Sequence, residues 1–169
     1  IYLDCGYIPS PFSIYNEIQK LQPGYCMHIH LKEKKLYLEK YWDLQSVKVD
    51  ESISYETAKQ KLHELITDAV KIRMQSDVPL GSFLSGGIDS ALVSAIAAKH
   101  SGQKLKTFTI AFEDSNFDES KVAEQYAQII NSEHTATLCT PKEVLEMLPH
   151  LVNAYDEPFA DSSALPSLL

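Results

Sequence analysis

Apolar and polar positions alternate along this chain with two different periods. From 25 to 31 they alternate one by one, a polar turn follows at 32–35, and a second short strand-like run covers 36–38. A period of two is typical of strands, so we predict a β-hairpin here. From Tyr55 to about Met74 apolar residues recur every three or four positions, after a serine that suits an N-cap. This spacing predicts a helix.

Beyond residue 78, strand-like runs alternate with helical stripes. We predict strands at 78–84, 105–112 and 134–138, with a loop at 113–117. Asp118 is expected to cap the helix after that loop. A further helix should begin at Thr140–Glu143, whose sequence predicts a capping box with proline at the first helical position. Strands alternating with helices in this way predict an α/β fold with a doubly wound parallel sheet and right-handed crossovers.

Composition and charge restrict the partners and the cellular location that the chain can have. A formal charge of −8 over 169 residues argues against a general nucleic-acid partner or a membrane surface. No apolar run approaches the roughly 18 residues that a membrane-spanning helix needs. Three widely separated cysteines, at positions 5, 26 and 139, favour reduced thiols and a cytoplasmic location. The chain starts at Ile1 and stops inside an apolar run, so we expect a segment of a longer protein.

The segment 81–90, Gly-Ser-Phe-Leu-Ser-Gly-Gly-Ile-Asp-Ser, joins a predicted strand to a predicted helix. Two adjacent glycines let the backbone approach a ligand closely. The helix start behind them offers free N–H groups and the positive end of its dipole, which together favour an anion such as phosphate. The loop is not a Walker A motif, because Gly87 stands where that motif requires lysine.

The six residues Ser85–Ser90 resemble the pyrophosphate loop (PP-loop) of ATP pyrophosphatases of the adenine-nucleotide α-hydrolase type. Such enzymes split ATP between its α and β phosphates. The resemblance implies ATP and Mg²⁺ as cofactors, with Asp89 as the Mg²⁺ ligand and with Asp89 and Ser85 as catalytic residues. It also implies a set of pyrophosphate-binding residues: Ser85, Gly86, Gly87, Asp89 and Ser90.

A second resemblance lies in the first part of the chain. The segments Gly6–Pro9, Lys20–Gly24 and Tyr41–Leu44 are similar to the last part of the glutaminase domain of glutamine-hydrolysing asparagine synthetases. This implies that residues 1–48 are a small β-rich remnant of a class II, N-terminal-nucleophile amidotransferase domain. Residues 49–169 would then be the first part of the synthetase domain.

The resemblance implies a reaction. The side-chain carboxylate of aspartate is adenylated with release of pyrophosphate, and ammonia from glutamine then displaces AMP. The nucleophilic cysteine, a second acidic motif and a catalytic lysine of the family are not among these residues, so we expect the segment alone to be inactive. Its partners would be small molecules: ATP, aspartate or another acid, and glutamine-derived ammonia.

Two further groups of residues are expected at the site. In open α/β sheets ligands bind outside the carboxyl ends of the strands, which places Leu84 and Ile110 on either side of an ATP, and in the family such positions contact the adenosine. The segment 155–166 carries several carboxylates and hydroxyls that border a predicted helix, with Asp161 or Ser162 as its N-cap. We expect a phosphate or substrate edge there, formed by Asp156, Asp161, Ser162 and Ser163.

Alternatives stay open on several points. The acceptor could be another acid, as in β-lactam-forming synthetases or sugar-modifying amidotransferases, and a non-enzymatic ATP sensor is a second class of function. The oligomeric state is open, a homodimer included.

Alternation places Cys26, His28 and His30 on one face of the hairpin. Zinc would need a fourth ligand and closed tetrahedral geometry, and nothing nearby supplies that ligand, so we expect surface or interface residues.

Overall fold

The computed structural model describes residues 1–114, 116 and 118–168. Ser115 and Phe117 of the predicted 113–117 loop lie outside the described residues, as does Leu169, the last residue of the second predicted domain. The described chain divides into two compact units. One comprises Ile1–Ser52 together with Met147–Leu168, and the other begins at Ile53 and ends at Glu146.

The first unit contains the predicted hairpin. Strands β1 (Tyr25–His30) and β2 (Lys35–Lys40) pair antiparallel, with Cys26 opposite Glu39 and His28 opposite Tyr37. Most side chains of both strands are exposed, on either face. Its other elements are helix α1 (Tyr2–Cys5), the 3₁₀ turns Leu44–Ser46 and Pro166–Leu168, and the second part of helix α5 (Pro141–Ala154).

The amino- and carboxyl-terminal segments of this unit are joined by polar contacts. The amide of Ala160 donates to the carbonyl of Gly6 at 2.7 Å. The ammonium of Lys20 donates to the carboxylate of Glu157, and only 32% and 22% of these two side chains are exposed. These contacts hold segments together that lie far apart in the sequence.

The second unit is α/β, as predicted. Its three strands, β3, β4 and β5, run parallel, and their order in the sheet follows their order in the chain. A doubly wound sheet needs a reversal of strand order. The described strands do not include one, so that part of the prediction stays a prediction. The elements are α2 (Tyr55–Arg73), β3 (Gly81–Phe83), α3 (Ile88–His100), β4 (Lys106–Phe112), α4 (Ser120–Ile129) and β5 (Glu133–Cys139).

Helices α3 and α4 pack on the sheet through small side chains. One buried cluster joins Leu84 to Ala123 and Ala127 of α4, with Ala91 of α3 against it. A second cluster joins α2 to α3 and the start of β4, and it contains Val70, Ile96, Ala97 and Leu105. Alanine at these contacts lets the helices approach the sheet closely, which fixes the position of the β3–α3 connection.

The local signals for helix starts are confirmed at two places. The hydroxyl of Ser54 accepts from the amide of Thr57 at 3.2 Å, as an N-cap does. At α5 the amide of Thr140 donates to the Glu143 carboxylate at 2.8 Å, and the amide of Glu143 donates back to the Thr140 hydroxyl at 3.3 Å. This reciprocal pair is the predicted capping box.

Three local predictions were wrong. The first parallel strand covers only Gly81–Phe83, and Val78, which we expected to be buried in it, is 68% exposed. Helix α4 begins at Ser120 with Glu119 in the N-cap position, although the Asp118 carboxylate accepts from the Ser120 amide at 3.2 Å. No α-helix follows Asp161 within the described residues, where turns and the second 3₁₀ turn occur instead.

Candidate functional site

The Ser85–Ser90 loop connects β3 to α3 at the carboxyl edge of the sheet. Its shape is held by the two serines at its ends. The Ser90 hydroxyl accepts from the Ser85 amide at 3.0 Å and donates to the Gly87 carbonyl at 3.2 Å. The Ser85 hydroxyl accepts from the Gly87 amide at 3.1 Å and lies 2.7 Å from the Ser90 hydroxyl. The loop is therefore closed by hydrogen bonds among its own residues.

The sequence predicts that Ser85 and Ser90 bind pyrophosphate, which their hydroxyls would do by donating to its oxygens. In this structure the Ser90 hydroxyl lies 3.2 Å from the Gly87 carbonyl oxygen and 2.7 Å from the Ser85 hydroxyl, and either hydroxyl can donate to the other. A hydroxyl rotates freely to suit its acceptor, so either serine can turn its proton to a bound oxygen. The serines therefore both shape the loop and can donate to a bound oxygen.

The start of α3 offers free backbone donors. Gly87 occupies the N-cap position and makes no side-chain cap bond. Within the described part of the chain, the amides of Ile88, Asp89 and Ser90 have no hydrogen-bond acceptor, as expected for a first helical turn. These donors and the positive end of the helix dipole lie together at an exposed loop. The arrangement can bind an anion.

The loop already holds one anionic group of the chain itself. The amide of Gly86 donates to the Glu119 carboxylate at 3.0 Å, across 33 residues of sequence. A methyl group added at Gly86 would lie 3.0 Å from the Glu119 Cβ and 3.3 Å from its Oε2 atom, so the two residues are in close contact. A carboxylate oxygen thus occupies a backbone donor of the kind that a phosphate oxygen would use.

Sequence reasoning assigned no role to Glu119, although a signal for its position existed. Crossover connections bring the loop after one parallel strand beside the loop after its neighbour. That rule predicts that residues following β4 lie near the loop that follows β3. It does not predict which carboxylate reaches an amide, since side-chain direction depends on where α4 begins.

Asp118, next to Glu119, has a structural role in the same connection. Its carboxylate accepts from the Ser120 hydroxyl at 3.0 Å, from the Ser120 amide at 3.2 Å and from the Phe112 amide at 3.3 Å. These bonds, the Ser120 hydroxyl first, lower the pKa of the Asp118 carboxyl below its usual value. Asp118 thereby holds the end of β4 to the start of α4 and fixes the chain that carries Glu119.

The residues expected to contact adenosine lie on adjacent strands. Leu84 follows the last β3 residue and is only 2% exposed. Its amide donates to the Phe108 carbonyl at 2.8 Å, and its carbonyl accepts from the Thr109 hydroxyl. Ile110 is half-buried in β4 beyond the last β3–β4 pair. The Leu84 amide and carbonyl are thus both bonded within the sheet and its side chain is packed in the buried cluster, so its contact with adenosine stays a prediction.

Asp89 fits the expected type of Mg²⁺ ligand. Its side chain is exposed in the first turn of α3, and it makes no hydrogen bond to any residue that the structure describes. A free carboxylate next to free backbone donors is compatible with a hard cation that bridges to phosphate oxygens. The other acidic candidates, Asp156 and Asp161, belong to the first unit, where Asp161 accepts from the Ser163 amide at 2.8 Å.

A cavity of about 540 Å³ opens at the other, amino-terminal edge of the sheet. The carboxyl ends of α2 and α3 border it, near Met74 and Ser101. The last carbonyls of a helix carry partial negative charge, which disfavours phosphate. The start of α3, at the opposite edge of the sheet, therefore suits an anion better than these helix ends do. Separately, none of the described helices is long and apolar enough to cross a bilayer.

Comparison with known proteins agrees with these features. The asparagine synthase family model matches residues 61–169, which is more than half of the chain. Asparagine synthetase (glutamine-hydrolyzing) 1 of Bacillus subtilis is 32% identical over 167 residues, covering 98% of this chain. A Methanocaldococcus jannaschii relative, named asparagine synthetase (glutamine-hydrolyzing) 2 as a provisional assignment, is 35% identical over 170 residues and 99% of this chain.

A relative with a different name also matches. Amidase chyE of Penicillium rubens is 32% identical over 131 residues, 68% of this chain and 19% of its own length. The chain spans 26% and 32% of the lengths of the Bacillus and Methanocaldococcus relatives, so it corresponds to a part of these larger proteins. On the family match and on these identities over nearly its whole length, the chain belongs to the asparagine synthase family.

Proposed function

We propose that this chain is the ATP-binding part of an enzyme that forms an amide from a carboxylic acid, ATP and ammonia derived from glutamine. The observation that carries the proposal is the β3–α3 loop, an uncapped helix start whose Gly86 amide already holds a carboxylate oxygen. Its relatives named as glutamine-hydrolysing asparagine synthetases support aspartate as the acid. Such an enzyme is a carbon–nitrogen ligase that releases AMP, and a soluble cytoplasmic protein fits that role.

In the proposed reaction the acceptor carboxylate attacks the α phosphorus of ATP. The bond to the β phosphate breaks, pyrophosphate leaves, and an acyl-adenylate remains. Ammonia then attacks the acyl carbon and AMP leaves with the bonding electron pair. The free amides of the first α3 turn, together with Gly86, hold the β and γ phosphates and stabilise the charge on the leaving pyrophosphate. Ser85 and Ser90 keep the loop in this shape.

Asp89 is the proposed protein ligand for Mg²⁺. The ion would neutralise charge on the phosphates when bound. Leu84 and Ile110 are proposed to border the adenosine. Asp156, Asp161, Ser162 and Ser163 are proposed to border the phosphates or the acceptor acid.

Residues 1–48 are proposed to be the end of a glutaminase domain, and residues 49–169 the start of the synthetase domain. The support is a difference in coverage. The family model for the synthase begins at residue 61, whereas relatives named as glutamine-hydrolysing match nearly the whole chain. Because the chain covers about a quarter to a third of these relatives, we propose that these residues alone have no turnover.

The acceptor acid is the part of the proposal with a competing candidate. The match to a protein named as an amidase favours a related enzyme that acts on another acid. Both candidates predict release of pyrophosphate from Mg-ATP in the complete enzyme only when the acceptor is present. Turnover with aspartate and glutamine selects the first candidate, and turnover only with another acid selects the second. Release of phosphate instead of pyrophosphate contradicts both.

The role of Asp89 can be measured separately. We expect Asp89→Asn to lower turnover of the complete enzyme by about 10²-fold or more, because the phosphates lose the cation that this carboxylate holds. Asp68→Asn removes the same charge from an exposed position on α2 and serves as the matched control. Equal turnover of the two variants, with unchanged circular dichroism, would remove Asp89 from the mechanism.

A further inference from the structure

Three potential metal ligands meet on one face of the β1–β2 hairpin. Cys26 and His28 are two residues apart on β1, and therefore point to the same face. Glu39 lies directly opposite Cys26 on β2. The Cys26 sulfur is 3.6 Å from the His28 Nε2 atom, and this nitrogen is 3.4 Å from a Glu39 carboxylate oxygen. The three ligand atoms all lie within 4.8 Å of one another.

These separations agree with a tetrahedral zinc centre. With zinc about 2.3 Å from sulfur and about 2.0–2.2 Å from nitrogen or oxygen, tetrahedral angles place sulfur and nitrogen about 3.6 Å apart. The same geometry places nitrogen and carboxylate oxygen about 3.4 Å apart. The two measured distances already match these edges. Two of the three ligand pairs therefore already have the spacing that zinc requires, and the third pair, the Cys26 sulfur and a Glu39 oxygen, lies within 4.8 Å.

The chemistry of the ligands selects the metal. A thiolate and a carboxylate carry two negative charges, which a divalent cation neutralises when the imidazole is uncharged. A sulfur ligand disfavours Mg²⁺ and Ca²⁺, whereas mixed sulfur, nitrogen and oxygen ligands suit Zn²⁺. Lys40, which follows Glu39 on β2, forms an ion pair with Asp43.

We propose that Cys26, His28 and Glu39 form a Zn²⁺ site that joins the two strands of the hairpin, with water in the fourth position. The opposite strand thus supplies Glu39 as the third protein ligand, a residue that the sequence pattern of β1 alone does not identify. His30, which shares the face, is not part of the site, since its ring packs edge-on against Tyr37 with the centroids 5.5 Å apart. Zinc bound in this way would fix the register of the strand pair.

The chain offers a matched control for each ligand. Cys5 is an exposed free cysteine of the same unit. His30 is a histidine of the same strand, and Glu33 is a glutamate of the same hairpin that pairs with Lys35 at 3.3 Å. Three pairs of variants follow: Cys26→Ser with Cys5→Ser, His28→Gln with His30→Gln, and Glu39→Gln with Glu33→Gln.

The test is zinc titration of the reduced 169-residue chain against a chromogenic chelator, with Co²⁺ as a spectroscopic probe. We expect one zinc per chain, a thiolate-to-cobalt charge-transfer band, and a rise in the melting temperature with zinc. Loss of a ligand should raise the Kd for zinc by more than the roughly 10-fold that results from changing a residue that only supports a ligand. Each control variant should have a Kd within about twofold of that of the parent. Circular dichroism of the metal-free variants checks folding, and Glu39→Gln, at an exposed position, is the variant least able to disturb it.

Two results would overturn the proposal. One is no stoichiometric zinc binding, or cobalt binding without a thiolate band. The other is binding that the control variants reduce as much as the ligand variants do.

Discussion

The Glu119 carboxylate occupies a backbone donor that we propose a phosphate uses, so its removal should tighten anion binding. Its carboxylate accepts from the Gly86 amide at 3.0 Å. A pyrophosphate oxygen that takes this donor must displace the carboxylate and then remain beside its charge. In Glu119→Gln the negative charge is absent and the neutral amide oxygen is a weaker acceptor. A pyrophosphate oxygen can therefore displace this side chain from the Gly86 amide at a lower cost in free energy.

The size of the effect follows from the exposure of Glu119. Two unit charges about 5 Å apart repel by about 0.8 kcal/mol in water and about 3 kcal/mol at an effective dielectric constant of 20. Glu119 is exposed, so the lower value applies. The weaker competing hydrogen bond contributes about half a kcal/mol more. Together these give roughly 1.3 kcal/mol, which corresponds to a Kd lower by a little under tenfold.

The assay is calorimetric titration of the 169-residue chain with pyrophosphate, without Mg²⁺ and at fixed ionic strength. Glu124→Gln is the control, since it removes the same charge from an exposed position on α4. We expect tighter binding for Glu119→Gln alone. Equal affinities of the two variants would mean that only net charge matters. Weaker binding after Glu119→Gln would refute the competition and would instead show that Glu119 assists the ligand.

Two further predictions concern stability. The partly buried Lys20–Glu157 pair should show a coupling free energy of about 1 kcal/mol. The measurement is a double-mutant cycle of Lys20→Met and Glu157→Gln, followed by urea unfolding, and additive effects of the two single substitutions would contradict the prediction. Hydrogen bonds from Thr140, its amide first, lower the pKa of the Glu143 carboxyl. Its stabilisation is therefore present above the unfolded pKa and is lost as the pH falls through the folded pKa. The stability difference between the parent and Glu143→Gln, measured by urea unfolding at several pH values, should shrink on acidification, and a constant difference would contradict it.

Much of the fold was predictable because its signals are local. The Thr140–Glu143 capping box and the Ser54 cap depend on residues three positions apart, and both formed as expected. The hairpin followed from its alternation. The strand predicted at 78–84 failed because an apolar run indicates burial without showing where the ladder begins, and the chain pairs with β4 only from Gly81.

The contacts that sequence reasoning missed depend on register. Glu39 reaches Cys26 because the hairpin turn pairs residue 26 with residue 39, and a shift by one residue would turn Glu39 to the opposite face. Glu119 reaches Gly86 because α4 starts at Ser120 and not at Asp118. In both cases the sequence pattern or the topology predicts which segments lie close together. A shift of one residue in register or in helix start then decides which side chain makes the contact.

The bond between Thr109 and Leu84 has a consequence for the loop. Pairing between β3 and β4 ends at Phe83, so the Leu84 carbonyl lies beyond the ladder and is held by the Thr109 hydroxyl. Thr109 is 4% exposed, and a valine there would keep the shape but leave a buried carbonyl without that donor. The starting point of the Ser85–Ser90 loop is thus set by a side chain of the neighbouring strand. If β4 shifted along the sheet, Thr109 would move with it and the start of the loop would shift as well. The position of the loop therefore depends on the alignment of β4 with β3.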